Sequence, residues 1–593
     1  CNSPGNCSAV GTYLDNVNNE QGLLLTERGG SWTPSEASMP AGSVGLPLLT
    51  AVSCSSPGDC TAVGTFLDAS GDDQGLLLTE TNGTWGPGVQ ASLPGDAAPD
   101  LSGNGVTLSA VSCAAPGACT AVGAYPDGSG DQHGLLLTET GGTWSQGVEA
   151  TPLGVQVSVN SVSCASPGNC IAVGNDTPDF GDLSEGLLLT ETDGSWAAGV
   201  VAPAPAGGSS ENVSSVSCAT AASCSAVGTY FDSSANEQAL ALSDTSGSWT
   251  PTEVSQPADS AADDPAVAFA SVSCASAGNC AAVGTYVDDD SNQHGLLVDE
   301  TGGSWGPGSE ASMPAGATPS ADPNSVFLGS VSCASAGNCS AVGAYSDALG
   351  NEQGWLLTES SGVWGPGVEA TPPSDSAAAF VNSVSCGSAG NCTAVGGDED
   401  LDTGDTEAML LTESGGAWTT GTQASLPANA GTGDGGGPTG PSGPTSGGTS
   451  SATLSMGRAK IKGTTAKVRV TCHGSAGQRC MGKLTLTVVE TLKHGKVTSI
   501  AALASKSPKT RRKTVTLASV KVALAPGRSR TFSVSLDRLG RALLSKRHSL
   551  KVHLALLEAG KTRGHETITF KLRAKHNSQH GVQTPLSRPR AAT

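Results

Sequence analysis

Carboxylates, imidazoles and thiols are the groups through which this chain could do chemistry, and they are very unevenly spread along its 593 residues. Residues 1–450 hold 49 of the 53 acids and one base, Arg28, a formal charge of −48; residues 451–593 hold 29 bases and four acids, +25. No Lys precedes Lys460, which excludes Schiff-base chemistry from the first 450 residues. His133 and His294 are the only imidazoles in that part. They occupy a recurring position where other repeats carry Gln21, Gln74, Glu185, Gln238, Gln353 and Glu407, so they read as polar loop anchors rather than acid–base catalysts.

Paired carboxylates could hydrolyse glycosides. Most of the acids, however, stand at repeated positions. Asp15, Asp68, Asp127, Asp232, Asp288, Asp347 and Asp400 each follow an Ala-Val-Gly or equivalent glycine by four residues, where a side chain caps its own turn. No break in the repeat built around two carboxylates is visible, and the expectation is a chain without enzymatic activity and without a cofactor. Calcium is the one ion the acids could take: Asp68 with Asp72 and Asp288 with Asp290 offer hard oxygen ligands on short loops.

The 18 cysteines form nine close pairs: Cys1/Cys7, Cys54/Cys60, Cys113/Cys119, Cys164/Cys170, Cys218/Cys224, Cys274/Cys280, Cys333/Cys339, Cys386/Cys392 and Cys472/Cys480. Structural zinc prefers a tighter first pair with a second pair or His nearby, so a disulfide framework is the better reading, each bridge stapling a hairpin. Such a framework needs an oxidising compartment, and a secreted or extracellular protein that could associate with the cell wall is expected. There is no run of 18 apolar residues and no signal peptide. Cys1 already belongs to a repeat, so a truncated or processed N-terminus is expected; a lipid-bearing Cys1 would orphan Cys7.

These residues are positioned by eight copies of one unit of about 55 residues. A Trp follows each second cysteine by 25 or 26 residues: Trp32, Trp85, Trp144, Trp196, Trp249, Trp305, Trp364 and Trp418. In the third copy, Thr107 to Cys113 alternates as a half-buried strand and Cys119 to Tyr125 is a second. Leu135 to Glu139 is a third, and Thr143-Trp144 opens a fourth. Asn82-Gly83 and Asp193-Gly194 are two-residue hairpin signals. Four antiparallel strands, repeated, describe propeller blades. Repeat 1 lacks its first strand, which is expected upstream. Trp355 and the five tyrosines read as packing residues.

The string Val-Ser-Cys, Ala-Val-Gly, Gly-Leu-Leu-Leu-Thr-Glu-Thr-Gly-Gly-Thr-Trp resembles the Asp-box (BNR) repeat of sialidase-like propellers, and also the repeats of the photosystem II stability factor. The acid five residues before Trp is present throughout: Glu27, Glu80, Glu139, Glu191, Asp244, Glu300, Glu359 and Glu413. Ser or Thr precedes Trp in six copies, the initial Ser is absent, and Glu usually replaces Asp. The chain is most similar to secreted actinobacterial proteins with Ser-Val-Ser-Cys and Ala-Val-Gly repeats. The resemblance implies a propeller in which the box is a folding element on the face away from any active site. Sialidase activity itself is excluded, because a three-arginine carboxylate clamp cannot be built from Arg28 alone. A binding site is expected on the opposite face, from the loops between strands two and three and the connections between repeats.

The expected organisation is all-β. An eight-repeat β-propeller spans 1–429, a Gly/Pro/Ser/Thr linker 430–452, a basic Ig-like β-sandwich 453–575 and a disordered tail 576–593. Lys509, Arg511, Arg512 and Lys513 are the candidate anion-binding cluster. The basic domain is expected to contact anionic cell-wall polymer or the chain's own acidic propeller, and the propeller an unknown glycan or protein. Nucleic acid is not expected. The reading is a non-enzymatic cell-surface binding or scaffolding module; the alternative is an extracellular carbohydrate-active hydrolase with a carboxylate pair on the propeller loop face.

Overall fold

A computed structural model describes the chain apart from short stretches, chiefly 99–104, 179–183, 262–265, 318–325, 348–351, 401–405, 431–452, 474–479, 502–510, 537–540 and 572–593. It divides into two compact units, Cys1–Gly437 and Pro438–Thr593.

The first unit is a β-propeller of successive antiparallel sheets. In repeat 3 the apolar–polar alternation forms Thr107–Ala115, Ala118–Pro126, Gln132–Thr140 and Thr143–Trp144, each paired to the one before it. Gly141 and Gly142 turn the third strand into the fourth with φ of 60° and 78°, a geometry that requires glycine or Asn/Asp. The fourth strand is broken in most repeats. After Trp144 the chain leaves the ladder so that Gly147 N–H can donate to Ser92 O of the preceding repeat, and pairing resumes at Val148–Glu149. Repeats 1 and 5 have Trp-Thr-Pro instead, and there the strand runs unbroken as Ser31–Glu36 and Ser248–Glu253.

The first strands of successive repeats pack side by side around the axis. Each is held to its predecessor by a serine: the amides of Cys113, Cys164, Cys218, Cys274, Cys333 and Cys386 donate to Ser53, Ser112, Ser163, Ser217, Ser273 and Ser332 Oγ at 2.9–3.1 Å. The core therefore lies between blades. Ala281, Val283 and Leu297 of repeat 6, for example, pack with Val326, Leu328 and Trp355 of repeat 7. Burial of this kind is worth about 25 cal/mol per Å² of apolar surface and holds each blade to the next. The last repeat meets the first: Asn16 N–H donates to Asn429 O at 2.9 Å, and Leu23 and Leu25 share a cluster with Leu410 and Ala424.

Eight disulfides staple the hairpins between strands one and two. They are Cys1–Cys7, Cys54–Cys60, Cys113–Cys119, Cys164–Cys170, Cys218–Cys224, Cys274–Cys280, Cys333–Cys339 and Cys386–Cys392. The pairing is the one expected, and the second member of each pair is also buried, as Cys60 and Cys170 show. Both are buried in the core between blades, whereas their partners Cys54 and Cys164 are half-buried. The sulfur of Cys60 lies 3.3 Å from Ser8 Oγ of repeat 1, and that of Cys170 lies 3.4 Å from Thr120 Oγ1 of repeat 3. A bridged sulfur has no proton, so in both contacts the hydroxyl is the donor. Cys119, Cys280 and Cys392 meet Thr61, Ser225 and Ser340 in the same way. The physical reason is strand alternation: the second cysteine points into the blade interface that its hairpin also closes. Cys472 is disulfide-bonded as well; the side chain of Cys480 lies outside the described residues. These bridges fit a secreted or extracellular protein. No described helix is long and apolar enough to cross a membrane.

The second unit contains two antiparallel sheets. One holds Thr453–Met456, Lys460–Lys462, Thr465–His473 and Ser529–Ser535; the other holds Cys480–Lys493, Lys496–Ala501, Arg511–Leu524, Ser549–Glu558 and Lys561–Lys571. Val468, Val470, Leu484, Leu486, Leu554 and Phe570 belong to its core. The basic cluster falls partly outside the described residues: Lys509 is not described, and Arg511, Arg512 and Lys513 begin the strand Arg511–Leu524.

Candidate functional site

The box acids lie at the blade interfaces, on the face that carries the disulfide hairpins. In the complete arrangement the acid of one repeat accepts two hydroxyls from the repeat before it. Glu80 takes Ser8 Oγ at 3.3 Å and Thr26 Oγ1 at 2.9 Å; Glu300 takes Ser225 and Ser243 at 2.7 and 2.9 Å; Glu413 takes Ser340 and Thr358, both at 2.7 Å. The box tryptophan grips the same hydroxyl: Trp85 Nε1 donates to Thr26, Trp305 to Ser243 and Trp418 to Thr358, at 3.0–3.2 Å. This geometry explains why an acid and a Trp recur five residues apart. A two-residue hairpin brings them opposite each other, as in the register Glu300↔Trp305, and both reach one partner.

Between repeats 6 and 7 this arrangement is replaced. The strand-two hydroxyl position is Ala281, and the strand-three position, Thr or Ser elsewhere, is Asp299. Glu359, 4% exposed, thus faces a carboxyl group instead of two hydroxyls, and its Oε2 is buried without a hydrogen-bond partner. Burial first, then the charge of Asp299, pushes the Glu359 pKa up to about 7. Burial also raises Asp299, against which Trp364 Nε1 donates to both its oxygens at 3.2 Å. The two acids open onto a cavity of about 250 Å³ lined also by Asn279, Glu300, Ser335 and Gly337.

The opposite face carries the loop acids. Asp68 Oδ1 accepts the amides of Ser70, Gly71 and Asp72, and its Oδ2 accepts Gln74 Nε2. Asp288 Oδ1 likewise accepts the amides of Asp290 and Asn292. His294 stands where Gln74 stands: Nε2 lies 3.0 Å from Asp288 Oδ2, Nδ1 lies 2.8 Å from Glu310 Oε1, and the ring stacks on Tyr286 at 5.3 Å. His133 has the same neighbours, Asp127 at 3.5 Å and Glu149 at 2.8 Å, without hydrogen-bond alignment, and stacks on Tyr125. The histidines are thus loop anchors, interchangeable with Gln. Burial lowers the His294 pKa, but its bonds to Asp288 and Glu310 outweigh this and the net shift is upward.

Among the described residues, the clusters of three possible metal ligands are Cys274, Cys280 and Glu300, and Cys386, Cys392 and Glu413. Their cysteines are spent in disulfides and offer no thiolate, and Glu300 and Glu413 already accept two hydroxyls each. The loop aspartates Asp68 and Asp288 already accept three or more bonds from their own turns, while Asp72 and Asp290 contribute backbone amides to them.

No family model and no curated protein matches the chain. Solved structures do. YCF48 from Cyanidioschyzon merolae is 13% identical, over 63% of this chain and 97% of that one, with a TM-score of 0.34. A polysaccharide lyase of family PL25, an ulvan lyase, is 9% identical over 64% and 94%, with a TM-score of 0.37. The GH74 xyloglucanase from Xanthomonas campestris is 13% identical over 79% and 80%, with a TM-score of 0.29.

The expectation that this chain is not an enzyme is corrected. Its ground was that no repeat breaks its symmetry around two carboxylates, and the interface of repeats 6 and 7 does so, at Asp299 and Glu359. Sequence reading missed the pair because its members lie 60 residues apart in a stretch where every repeat has an acid. The available signal was Asp299 itself, an acid in a column of Thr and Ser. The break lies on the disulfide face, not on the loop face where a site was expected.

Proposed function

We propose that this protein is an extracellular carbohydrate-active hydrolase whose acid–base pair is Glu359 and Asp299. The observation that carries this reading is Glu359 beside Asp299 with its Oε2 buried and unpartnered, its pKa pushed up to about 7. Two neighbouring carboxyls, one of them kept protonated by burial and by its neighbour's charge, are what glycosidic hydrolysis needs. Glu359 holds the proton that the departing glycosidic oxygen takes up. Asp299, whose anionic form the Trp364 indole favours, assists the water that completes the cleavage at the anomeric carbon. The cavity of about 250 Å³ is small beside the roughly 300–1,000 Å³ usual for ligand pockets and suits one sugar ring at a chain end. The basic second unit, with +25 over residues 451–593, supports a tether to anionic cell-wall polymer, which high salt would release.

The test is release of reducing ends from a panel of neutral and acidic polysaccharides by the full chain. Activity is expected to fall by about 100-fold or more in Glu359→Gln and in Asp299→Thr. The second variant restores the residue found in other repeats, so lost activity cannot be ascribed to misfolding. A wild-type chain inactive on the whole panel, or an Asp299→Thr variant as active as wild type, overturns the proposal.

A further inference from the structure

At the loop face the end of strand two pairs with the start of strand three, and two columns of side chains meet there. In six repeats an aromatic residue stands opposite Gln or His, as in Tyr230↔Gln238 and Tyr286↔His294. Repeats 4 and 8 change both columns together, to Asp176↔Glu185 and Asp398↔Glu407. Directly opposed residues share one face with Cβ atoms about 5 Å apart, so each change sets two like charges side by side.

The two repeats treat their acids differently. In repeat 8 the protein supplies donors: Ser376 Oγ donates to Asp398, and Gln423 Nε2, from the fourth strand, donates to Glu407. In repeat 4 the position of Gln423 is taken by Val201, which has nothing to donate. Asp176 is 0% exposed, and both its carboxylate oxygens are buried without a hydrogen-bond partner. A Cβ on Gly154 would collide with Asp176 Oδ1 and with the Thr177 carbonyl oxygen, so the backbone closes over the acid at a glycine. Burial first, then the charge of Glu185, raises the Asp176 pKa against a smaller downward pull from the Thr177 amide. No side chain can neutralise the pair: repeat 4 contains no Lys, Arg or His, and the one base of residues 1–450 is Arg28. A proton on Asp176 would relieve the repulsion, yet it would leave a buried hydroxyl and a buried carbonyl oxygen still without partners.

We propose that Asp176 and Glu185 form a calcium site on the loop face of repeat 4. The ion takes the place of the donors that Ser376 and Gln423 provide in repeat 8. It supplies positive charge to both carboxylates at once, which no neutral donor does. The ligands are hard oxygens, and calcium accepts an irregular set of carboxylates completed by water, where magnesium demands a near-ideal octahedron. Asp68 and Asp288 differ, because their own turns already fill them. An ion is also what fits beside Asp176, whose side chain has no exposed surface to offer a sugar or a peptide.

The experiment strips the full chain of metal with a chelator and titrates it with calcium chloride, following heat and melting temperature. Saturable binding is expected, with a Kd of about 10⁻⁴–10⁻³ M, the range of extracellular calcium modules. The melting temperature should rise with calcium and return on chelation. Asp176→Asn is expected to bind calcium about tenfold more weakly or worse, and to melt no lower than the calcium-free wild type, because a neutral amide ends the repulsion by Glu185. Glu185→Gln, at a half-buried position, should show the same loss of calcium response and serves if Asp176→Asn does not fold. No saturable binding by the wild type overturns the proposal. So does an undiminished calcium response in these variants, which would put the ion elsewhere on the chain, and so does equal stabilisation by magnesium.

Discussion

Trp364 Nε1 stands 3.2 Å from both carboxylate oxygens of Asp299, where Trp85, Trp305 and Trp418 meet a neutral hydroxyl. Asp299, together with Ala281 at the strand-two position, thereby turns a structural clamp into a half-buried acid beside a buried one. Buried acids are costly unless satisfied, and Glu359 keeps an unpartnered oxygen. Retaining such a pair sacrifices stability at the position where chemistry is proposed.

Asp299→Thr should accordingly stabilise the propeller while removing activity. A hydroxyl there can donate to Glu359 and accept from Trp364, as Thr358 does for Glu413 and Trp418. The gain should be about 1 kcal/mol, read as a higher midpoint in urea or guanidinium unfolding. The pH dependence has a definite sign. The folded-state pKa of Glu359 is raised from 4.5 to about 7, so the native state binds the extra proton in that window and stability falls as pH rises through it. Glu359→Gln should flatten that slope.

His294 and Asp288 should give the opposite limbs of a stability profile. The raised His294 pKa contributes stability that is complete below its unfolded value near 6.5 and lost as pH climbs through the folded value. Burial tends to raise the Asp288 pKa, but the bonds from Asn292 and His294 bring it down to about 2; its contribution is present above 3.8 and lost as pH falls toward 2. His294→Gln, which installs the residue of most other repeats, should remove the alkaline limb and shrink the acid limb to the part held by Asn292, as followed by melting temperature across pH.

Thr26→Val should be costly although it is isosteric and half-buried. It removes the hydroxyl that Glu80 and Trp85 share and leaves a carboxylate that is 1% exposed with only Ser8 as a partner. A loss of about 1–3 kcal/mol is expected in denaturant unfolding. The same change at Thr190, whose tryptophan and acid belong to repeat 5, is a useful contrast for the shared-partner explanation.

Removing one staple, Cys218→Ser with Cys224→Ser, should cost about 2 kcal/mol from the loss of a short closed loop in the unfolded chain. Eight such loops make reduction additive, so graded dithiothreitol should lower the melting temperature in steps rather than at one threshold.

The repeat, the strands and the staples were legible in the sequence because they are local. Alternation within seven residues sets a strand, six residues separate bridged cysteines, and the glycines at 141 and 142 permit only a hairpin. The loop-anchor role of His133 and His294 was legible too, from the Gln and Glu at equivalent positions. Contacts between repeats were not. The burial of Cys60 against Ser8 and of Cys170 against Thr120 joins neighbouring blades, and cysteine spacing says nothing of it. The partner of Glu359 lies 60 residues away and is recognisable only when two blades are set side by side, because an acid is unremarkable in a chain with 53 of them. Sequence by itself determined what each blade is, since short-range sterics and hydrophobic period decide it. The tertiary structure decided where the blades differ, because burial and charge at an interface depend on which side chains face each other across it.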